Sequence, residues 1–185
     1  MKVDFGEFTE TYNELVLDVN TAMSLDTKYF KKSFIKRTYI RSHFAMIEGV
    51  AHQLKRLALE ADKNANRLNL AEKEFLAERS ADVLENGKVK IKSAKIRTLP
   101  NLLFAINSVI KTLDLNFELN KGVGWEALLK AIKIRDRITH PKDIDSLEIE
   151  DEEFKIMGTA NKWLVDEMTK LIELIKAEHE VYWSK

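Results

Sequence analysis

Three residues in the last third of the chain have the types and spacing of a reactive site: Arg135, Asp136 and His140. Arginine carries a permanent, planar charge that binds phosphate, and histidine exchanges protons near neutral pH. An imidazole beside a fixed guanidinium suits the cleavage of RNA. The imidazole moves protons on the 2′-hydroxyl or the leaving oxygen, and the guanidinium stabilises charge on the transition state. This chemistry requires no metal.

The segment around these residues is predicted to be a helix from Trp125 to about Thr139. At about 100° per residue its apolar side chains form two stripes: Trp125, Leu128, Leu129 and Ile132 in one, and Ala127, Ala131, Ile134 and Ile138 in the other. Arg135 falls between the stripes, where a charge is costly unless it is paired or used. A structural ion pair with another helix explains this position, and so does a cation held in a cleft to receive an anion.

The position of His140 favours the second explanation. Pro141 disfavours helical geometry at the residue before it, so the helix is predicted to end at about Thr139. His140 then lies just beyond the C-terminus, where its ring can fold back toward Arg135. The helix C-terminus also favours the imidazolium form.

Residues 135–140, Arg-Asp-Arg-Ile-Thr-His, resemble the Arg-polar-x(3)-His motif of the HEPN superfamily of nucleotide-binding domains. The resemblance implies an all-α bundle and a homodimer in which two motifs face each other across the interface. It also implies a metal-independent endoribonuclease that leaves a 2′,3′-cyclic phosphate, used as a toxin or phage-defence effector with an antitoxin protein as partner. Other members of the family are non-catalytic and bind nucleotide, RNA or a protein. By analogy, Asp136 holds the local geometry.

Five further residues complete the predicted site. Lys133, Arg137, Lys142 and Arg41 are candidate ligands for RNA, and Glu48 is a candidate partner that orients Arg135. Ordinary surface ion pairs are the simpler explanation of Arg41 and Glu48, and each such pair would contribute little to stability.

No metal or cofactor is predicted. The chain has no cysteine, and His43 and His52 would lie about half a turn out of phase on one helix, so they do not share a face. Gly122 and Gly124 lie in a predicted loop that lacks the rest of a phosphate-binding motif and a preceding strand.

The elements that must position the site are predicted to be helices. Only two prolines and six glycines interrupt the chain, which favours long helices. We expect an all-α, antiparallel bundle of five to six helices that forms a single domain over residues 1–185. Besides the segment with the motif, predicted helices cover residues 29–61, 70–84 and 100–115, and two more helices carry the apolar sets that run from Phe8 to Ala22 and from Phe154 to Ile175. Gly87 is interpreted as the C-cap of the third, and residues 88–97, which are alternating and basic, as a short β-ribbon or loop.

The charges balance, with 30 Lys+Arg against 30 Asp+Glu, and this excludes a uniformly basic coat protein for nucleic acid. The balance hides unlike segments, because residues 28–56, 88–97 and 130–142 are basic whereas acids concentrate in residues 143–153. The chain has no run of 18 apolar residues, and its first residues include acids where a signal peptide would be apolar. A cytoplasmic protein without a membrane span is expected.

Overall fold

A computed structural model describes the backbone of residues 5–183 and the side chains of residues 6–178. Helices dominate this range, and one two-stranded antiparallel sheet accompanies them. The elements are α1 (Phe5–Ser24), α2 (Lys32–Ala65), α3 (Leu70–Leu76), β1 (Arg79–Val83), β2 (Val89–Ser93), α4 (Thr98–Leu113), α5 (Val123–Thr139), a 3₁₀ turn (Asp145–Leu147) and α6 (Asp151–Trp183). The prediction of an all-α protein with a short ribbon is confirmed.

The chain divides into two compact units. The ribbon unit comprises the described part of Met1–Tyr12 together with Ile47–Asn116, and the motif unit comprises Asn13–Met46 together with the described part of Phe117–Lys185. α1 and α2 each contribute residues to both units. The prediction of a single domain over residues 1–185 stays a prediction.

In the ribbon unit, buried polar residues fix the ends of the elements. The Asp62 carboxylate, near the end of α2, accepts hydrogen bonds from the backbone N–H groups of Arg67 (2.6 Å) and Leu68 (2.8 Å). The ammonium of Lys73 lies 2.8 Å from the same carboxylate. These bonds hold the turn that leads from α2 to α3, because each satisfies a polar group that burial would otherwise penalise.

α3 is shorter than the sequence predicts. A capping box begins it, in which Asn69 and Glu72 each accept a hydrogen bond from the other's backbone N–H. It ends at Leu76, since Glu78 adopts a left-handed backbone with φ 57°. The extension to Leu84 and the role of Gly87 as a helix cap are therefore wrong.

Residues 79–93 form a hairpin instead. β1 pairs with β2 from Arg79 opposite Ser93 to Val83 opposite Val89. Gly87 lies in the turn with φ 75°, a conformation that glycine adopts without steric cost. Its N–H donates to the Leu84 carbonyl at 2.8 Å. The ribbon predicted near residues 88–97 exists, and its partner strand comes from the segment assigned to the helix.

In the motif unit, α5 packs against α6 and the 3₁₀ turn. The second predicted stripe of α5 is buried along its whole length, whereas in the first stripe only Leu128 is fully buried. The indole N–H of Trp163 on α6 donates to the Asn120 carbonyl at 2.8 Å, which fixes the loop before α5. Within the described residues, no helix is both long and apolar enough to cross a membrane.

The contact between α5 and α6 at Gly124 generates a stability prediction. A Cβ added at Gly124 would overlap the Cβ and Cγ atoms of Trp163. Gly124→Ala should therefore lower the free energy of unfolding by about 1–3 kcal/mol, because overpacking forces neighbouring atoms to shift. Thermal unfolding followed by circular dichroism measures the change.

Gly158→Ala is the matched control. Gly158 lies inside α6, and a Cβ there would meet no heavy atom within 4 Å. This substitution should raise stability by about 0.5–1 kcal/mol, since alanine restricts the unfolded chain and favours the helix. Equal effects from the two substitutions would contradict the close approach at Gly124.

Candidate active site

The predicted motif lies at the C-terminal end of α5. The helix ends at Thr139, as the sequence predicts, and His140 follows with φ −122° and ψ 61°. The backbone N–H of His140 still donates to the Asp136 carbonyl at 3.1 Å. The residue is therefore held at the helix end by its backbone.

Arg135 is held on two sides within the motif unit. Its guanidinium carbon lies 5.3 Å from the centroid of the Phe44 ring, and its Nη1 lies 2.9 Å from Oδ1 of Asp136. The Arg135 side chain is 23% exposed, whereas Phe44 is buried. A cation above an aromatic face is stabilised by the ring quadrupole, and more so when partly desolvated. This explains how a charge can lie between the apolar stripes of α5.

Asp136 is the more accessible member of the pair, with 56% of its side chain exposed. Its carboxylate competes with any anion that approaches the guanidinium. A phosphate with two free oxygens offers the planar fork a bidentate partner, which is the geometry the guanidinium favours. The pairing agrees with a role of Asp136 in holding the local geometry, and that role stays a prediction.

The His140 ring is exposed, and it makes no hydrogen bond or ion pair with a described side chain. The expected fold-back of the ring toward Arg135 stays a prediction. The imidazole is open to solvent, and rotation of the His140 side chain decides which groups the ring can contact.

Arg137 has structural partners that the sequence did not reveal. Its Nη2 lies 2.8 Å and 2.6 Å from the two carboxylate oxygens of Glu153. Its Nη1 donates to the carbonyls of Glu148 (2.6 Å) and Ser146 (3.2 Å). One guanidinium thus joins α5 to the loop that follows it and to the first turn of α6. It could bind RNA only by giving up some of these bonds.

The other candidate RNA ligands do not have such structural partners among the described residues. Lys133, Lys142 and Arg41 are exposed, and their charged groups form no ion pair with another described residue. Glu48 belongs to the ribbon unit, and its proposed action on Arg135 stays a prediction.

Two lysines at the start of α2 pair with Asp151, which lies among the acidic residues at the start of α6. The Lys36 ammonium is buried and lies 2.8 Å from the Asp151 carboxylate, and it also donates to the Ile149 carbonyl. Lys32 lies 3.1 Å from the same carboxylate. The hydrogen bonds from Lys36 and Lys32 lower the pKa of Asp151 to about 2. The acids at the start of α6 are therefore structural, as their place at a helix N-terminus suggests.

A buried polar cluster lies beside the site, and sequence reasoning missed it. His43 is fully buried, and its Nδ1 lies 2.9 Å from Oδ1 of Asn161 on α6. Its Nε2 has no hydrogen-bond partner among the described residues. The His43 ring also packs edge-on against Phe44, with centroids 5.4 Å apart. The signal was present, since Asn161 is a polar residue in the apolar stripe of the last helix.

Within the described residues, no group of three His, Asp or Glu side chains is placed to hold a metal ion. No protein-family model, curated protein or solved structure matches the chain.

The burial of His43 predicts a dependence of stability on pH. Burial lowers the pKa of His43 to about 4, against a smaller opposing effect of the hydrogen bond to Asn161. The unfolded chain therefore binds more protons between its ordinary pKa of about 6.5 and about 4. Stability should fall by about 3 kcal/mol as the pH drops through this window, with no further loss from this group below it.

Urea unfolding at several pH values measures this slope, and His43→Leu is the comparison. The variant keeps the carboxylates and the other histidines, so the difference in slope isolates His43. An identical slope in both proteins between pH 6.5 and 4 would contradict the depressed pKa.

The bonds of Arg137 predict a structural role. Arg137→Ala should lower the free energy of unfolding by about 2 kcal/mol, because it leaves Glu153 and two carbonyls without their charged donor. Lys133→Ala on the same helix should change it by less than about 0.5 kcal/mol, since Lys133 is exposed. Melting curves of the two variants, measured side by side, test the difference. Equal melting temperatures would show that the Arg137 cross-link contributes nothing.

Proposed function

We propose that the protein is a metal-independent endoribonuclease of the HEPN type. The observation that supports this is the arrangement at the end of α5. A partly buried guanidinium is held by Phe44 and Asp136. An exposed imidazole, which has no partner among the described side chains, follows about one turn later. These are a phosphate ligand and a proton carrier on one helix end.

In this mechanism Arg135 binds the non-bridging oxygens of the scissile phosphate. The 2′-oxygen attacks phosphorus, a new O2′–P bond forms, and the P–O5′ bond breaks. His140 takes the proton of the 2′-hydroxyl or gives a proton to the leaving 5′-oxygen, and a second group carries out the other proton transfer. The products are a 2′,3′-cyclic phosphate and a 5′-hydroxyl, so atoms and charge balance without a metal or cofactor.

A homodimer would supply the second proton carrier. One imidazole cannot be both the base and the acid of the same step, but two copies of His140 facing each other could divide these roles. Such an enzyme would act in the cytoplasm as a toxin or phage-defence effector, with an antitoxin protein as its partner. Lys133, Lys142 and Arg41 would then be the cations available to the RNA backbone.

Specific observations also favour a second function, a non-catalytic module that binds nucleotide, RNA or a protein through the same residues. The Arg135 guanidinium already pairs with Asp136, and no hydrogen bond joins it to the His140 ring. An anion could bind at Arg135 without any proton transfer.

Cleavage of RNA in the presence of EDTA tests the proposal. The purified protein should cut a labelled RNA, and His140→Ala should cut it at least about 100-fold more slowly, because general acid–base catalysis contributes at least that much. The variant should keep its melting temperature, since the ring is exposed. A 2′-deoxy substitution at the cut site should block cleavage, because it removes the nucleophile.

His52→Ala is the matched control, because His52 is also an exposed histidine on a helix, and it should cut at the wild-type rate. Arg135→Lys should lose most activity, since it keeps the charge but not the planar fork. Cutting that EDTA abolishes, or full activity in His140→Ala, would contradict the mechanism. RNA binding that depends on Arg135, with no cleavage by the wild type, would establish the non-catalytic module instead.

A further inference from the structure

The ribbon has two unlike faces. Successive residues of a strand point to opposite sides, and the register places Ala81 opposite Ile91 and Val83 opposite Val89. These four side chains are exposed and form an apolar face. Ser80 opposite Lys92 and Asp82 opposite Lys90 form the other, polar face.

The polar face forms one wall of a cavity of about 520 Å³ in the ribbon unit. Ser80, Asp82 and Lys92 line it from the ribbon, Phe75 lines it from α3, and Lys95 lines it from the segment after β2. Phe75 is 45% exposed, although its ring is supported edge-on by Phe104 at a centroid distance of 6.4 Å. An aromatic surface is thus presented to a cavity that lysines border.

The charged side chains that line this cavity are Asp82, Lys92 and Lys95, which together carry one net positive charge. Lys92 is bound to Asp82 at 2.5 Å, whereas Lys90 and Lys95 form no ion pair with another described residue. From residue 79 to residue 97 the chain holds six basic residues, Arg79, Lys88, Lys90, Lys92, Lys95 and Arg97, against Asp82 and Glu85. The ligand that fits is an anion.

The base of the ribbon is held in place. The backbone N–H of Ala94 donates to the Glu78 carbonyl at 2.8 Å. The Glu78 carboxylate is bound at 2.6 Å by the ammonium of Lys55, whose side chain is almost fully buried. That hydrogen bond is the main cause that lowers the pKa of Glu78. The backbone from which the ribbon side chains reach the cavity is therefore fixed before a ligand binds, which reduces the entropy that binding must overcome.

We infer that this cavity binds an unpaired nucleotide of single-stranded RNA. The base stacks on Phe75, the flanking phosphates lie against Lys92 and Lys95, and the Asp82 carboxylate accepts a hydrogen bond from the 2′-hydroxyl. Aromatic stacking combined with cations along the backbone is how proteins bind single strands without reading sequence. The inference rests on the proposed function, since it gives the nuclease a place to hold its substrate.

Fluorescence anisotropy with a labelled single-stranded RNA of 12 nucleotides tests the site. The His140→Ala protein is the background, so that the RNA stays whole, and the wild type is measured beside it. Phe75→Ala should weaken binding about tenfold or more, because a stacked base contributes that much. Lys92→Gln with Lys95→Gln should weaken it and reduce the slope of log affinity against log salt by about 0.7 for each lysine lost.

Two controls match these variants. Lys155→Gln with Lys162→Gln removes the same charge from exposed lysines of α6, and Val89→Ser alters the apolar face. Neither should change the affinity by more than about twofold. Because Phe75 contacts Phe104, the Phe75→Ala variant is checked for an unchanged melting temperature. If that temperature falls, the variant Lys92→Gln with Lys95→Gln decides the outcome, since both lysines are exposed.

The inference fails if the ribbon variants bind RNA as tightly as the controls, or if Val89→Ser weakens binding as much as Phe75→Ala. It is also separable from the proposed nuclease. Cleavage by the wild type with unchanged binding and cutting in the ribbon variants would overturn the RNA site alone. Binding that the ribbon variants lose, in a protein that never cuts RNA, would support the RNA site and overturn the nuclease.

Discussion

The cross-link made by Arg137 is the interaction on which the candidate site depends. Its guanidinium binds two loop carbonyls and the carboxylate of Glu153, so the chain leaving α5 is drawn back along the helix and into the start of α6. Glu153 is favourably placed for this, since the N-terminus of a helix stabilises negative charge. His140 lies between the end of α5 and this bound loop. Its backbone position is therefore set from both sides, although its ring remains exposed.

The pairing of charges shows which of the 30 basic residues serve the fold and which remain available to a ligand. In the motif unit, the buried Lys36 and the half-buried Arg137 are bound to acids at the start of α6, and these cations serve the fold. Exposed ion pairs would contribute little, whereas these partly buried ones leave costly groups behind if one partner is removed. The cations left for a ligand are the exposed ones, such as Lys133 in this unit and Lys95 in the ribbon unit. A charge count along the sequence cannot separate the two classes.

Sequence patterns predicted the features that depend on neighbouring residues, such as helices and their ends. The apolar period placed α1, α2, α4 and α5 within about four residues, and Pro141 placed the end of α5. It placed the start of α6 equally well, but α6 continues to Trp183, eight residues beyond the predicted apolar stripe. The hairpin was missed in part because the predicted third helix covers residues 79–83, which leaves residues 88–97 without a partner strand. The left-handed Glu78 that ends α3 leaves no compositional mark. Likewise, the sequence predicts Arg137 as a ligand for RNA, but its structural partners come from the loop and from α6. The bond between His43 and Asn161 joins two helices and shows in the sequence only as two polar residues near apolar stripes.

Arg135 and His140 differ in how the fold prepares them. Arg135 is oriented before any ligand arrives, because Phe44 and Asp136 hold its fork, and a preoriented charge stabilises a transition state without reorganising. In the proposed mechanism, the His140 ring would have to be ordered at the moment of reaction, at a cost of roughly 1 kcal/mol of side-chain entropy. Phosphate binding and proton transfer would then depend on different features: the first on the Phe44 ring that supports Arg135, and the second on whatever group orders the imidazole. A second motif facing the first would supply that ordering group together with the missing proton carrier, and this is the physical reason that a homodimer belongs in the mechanism.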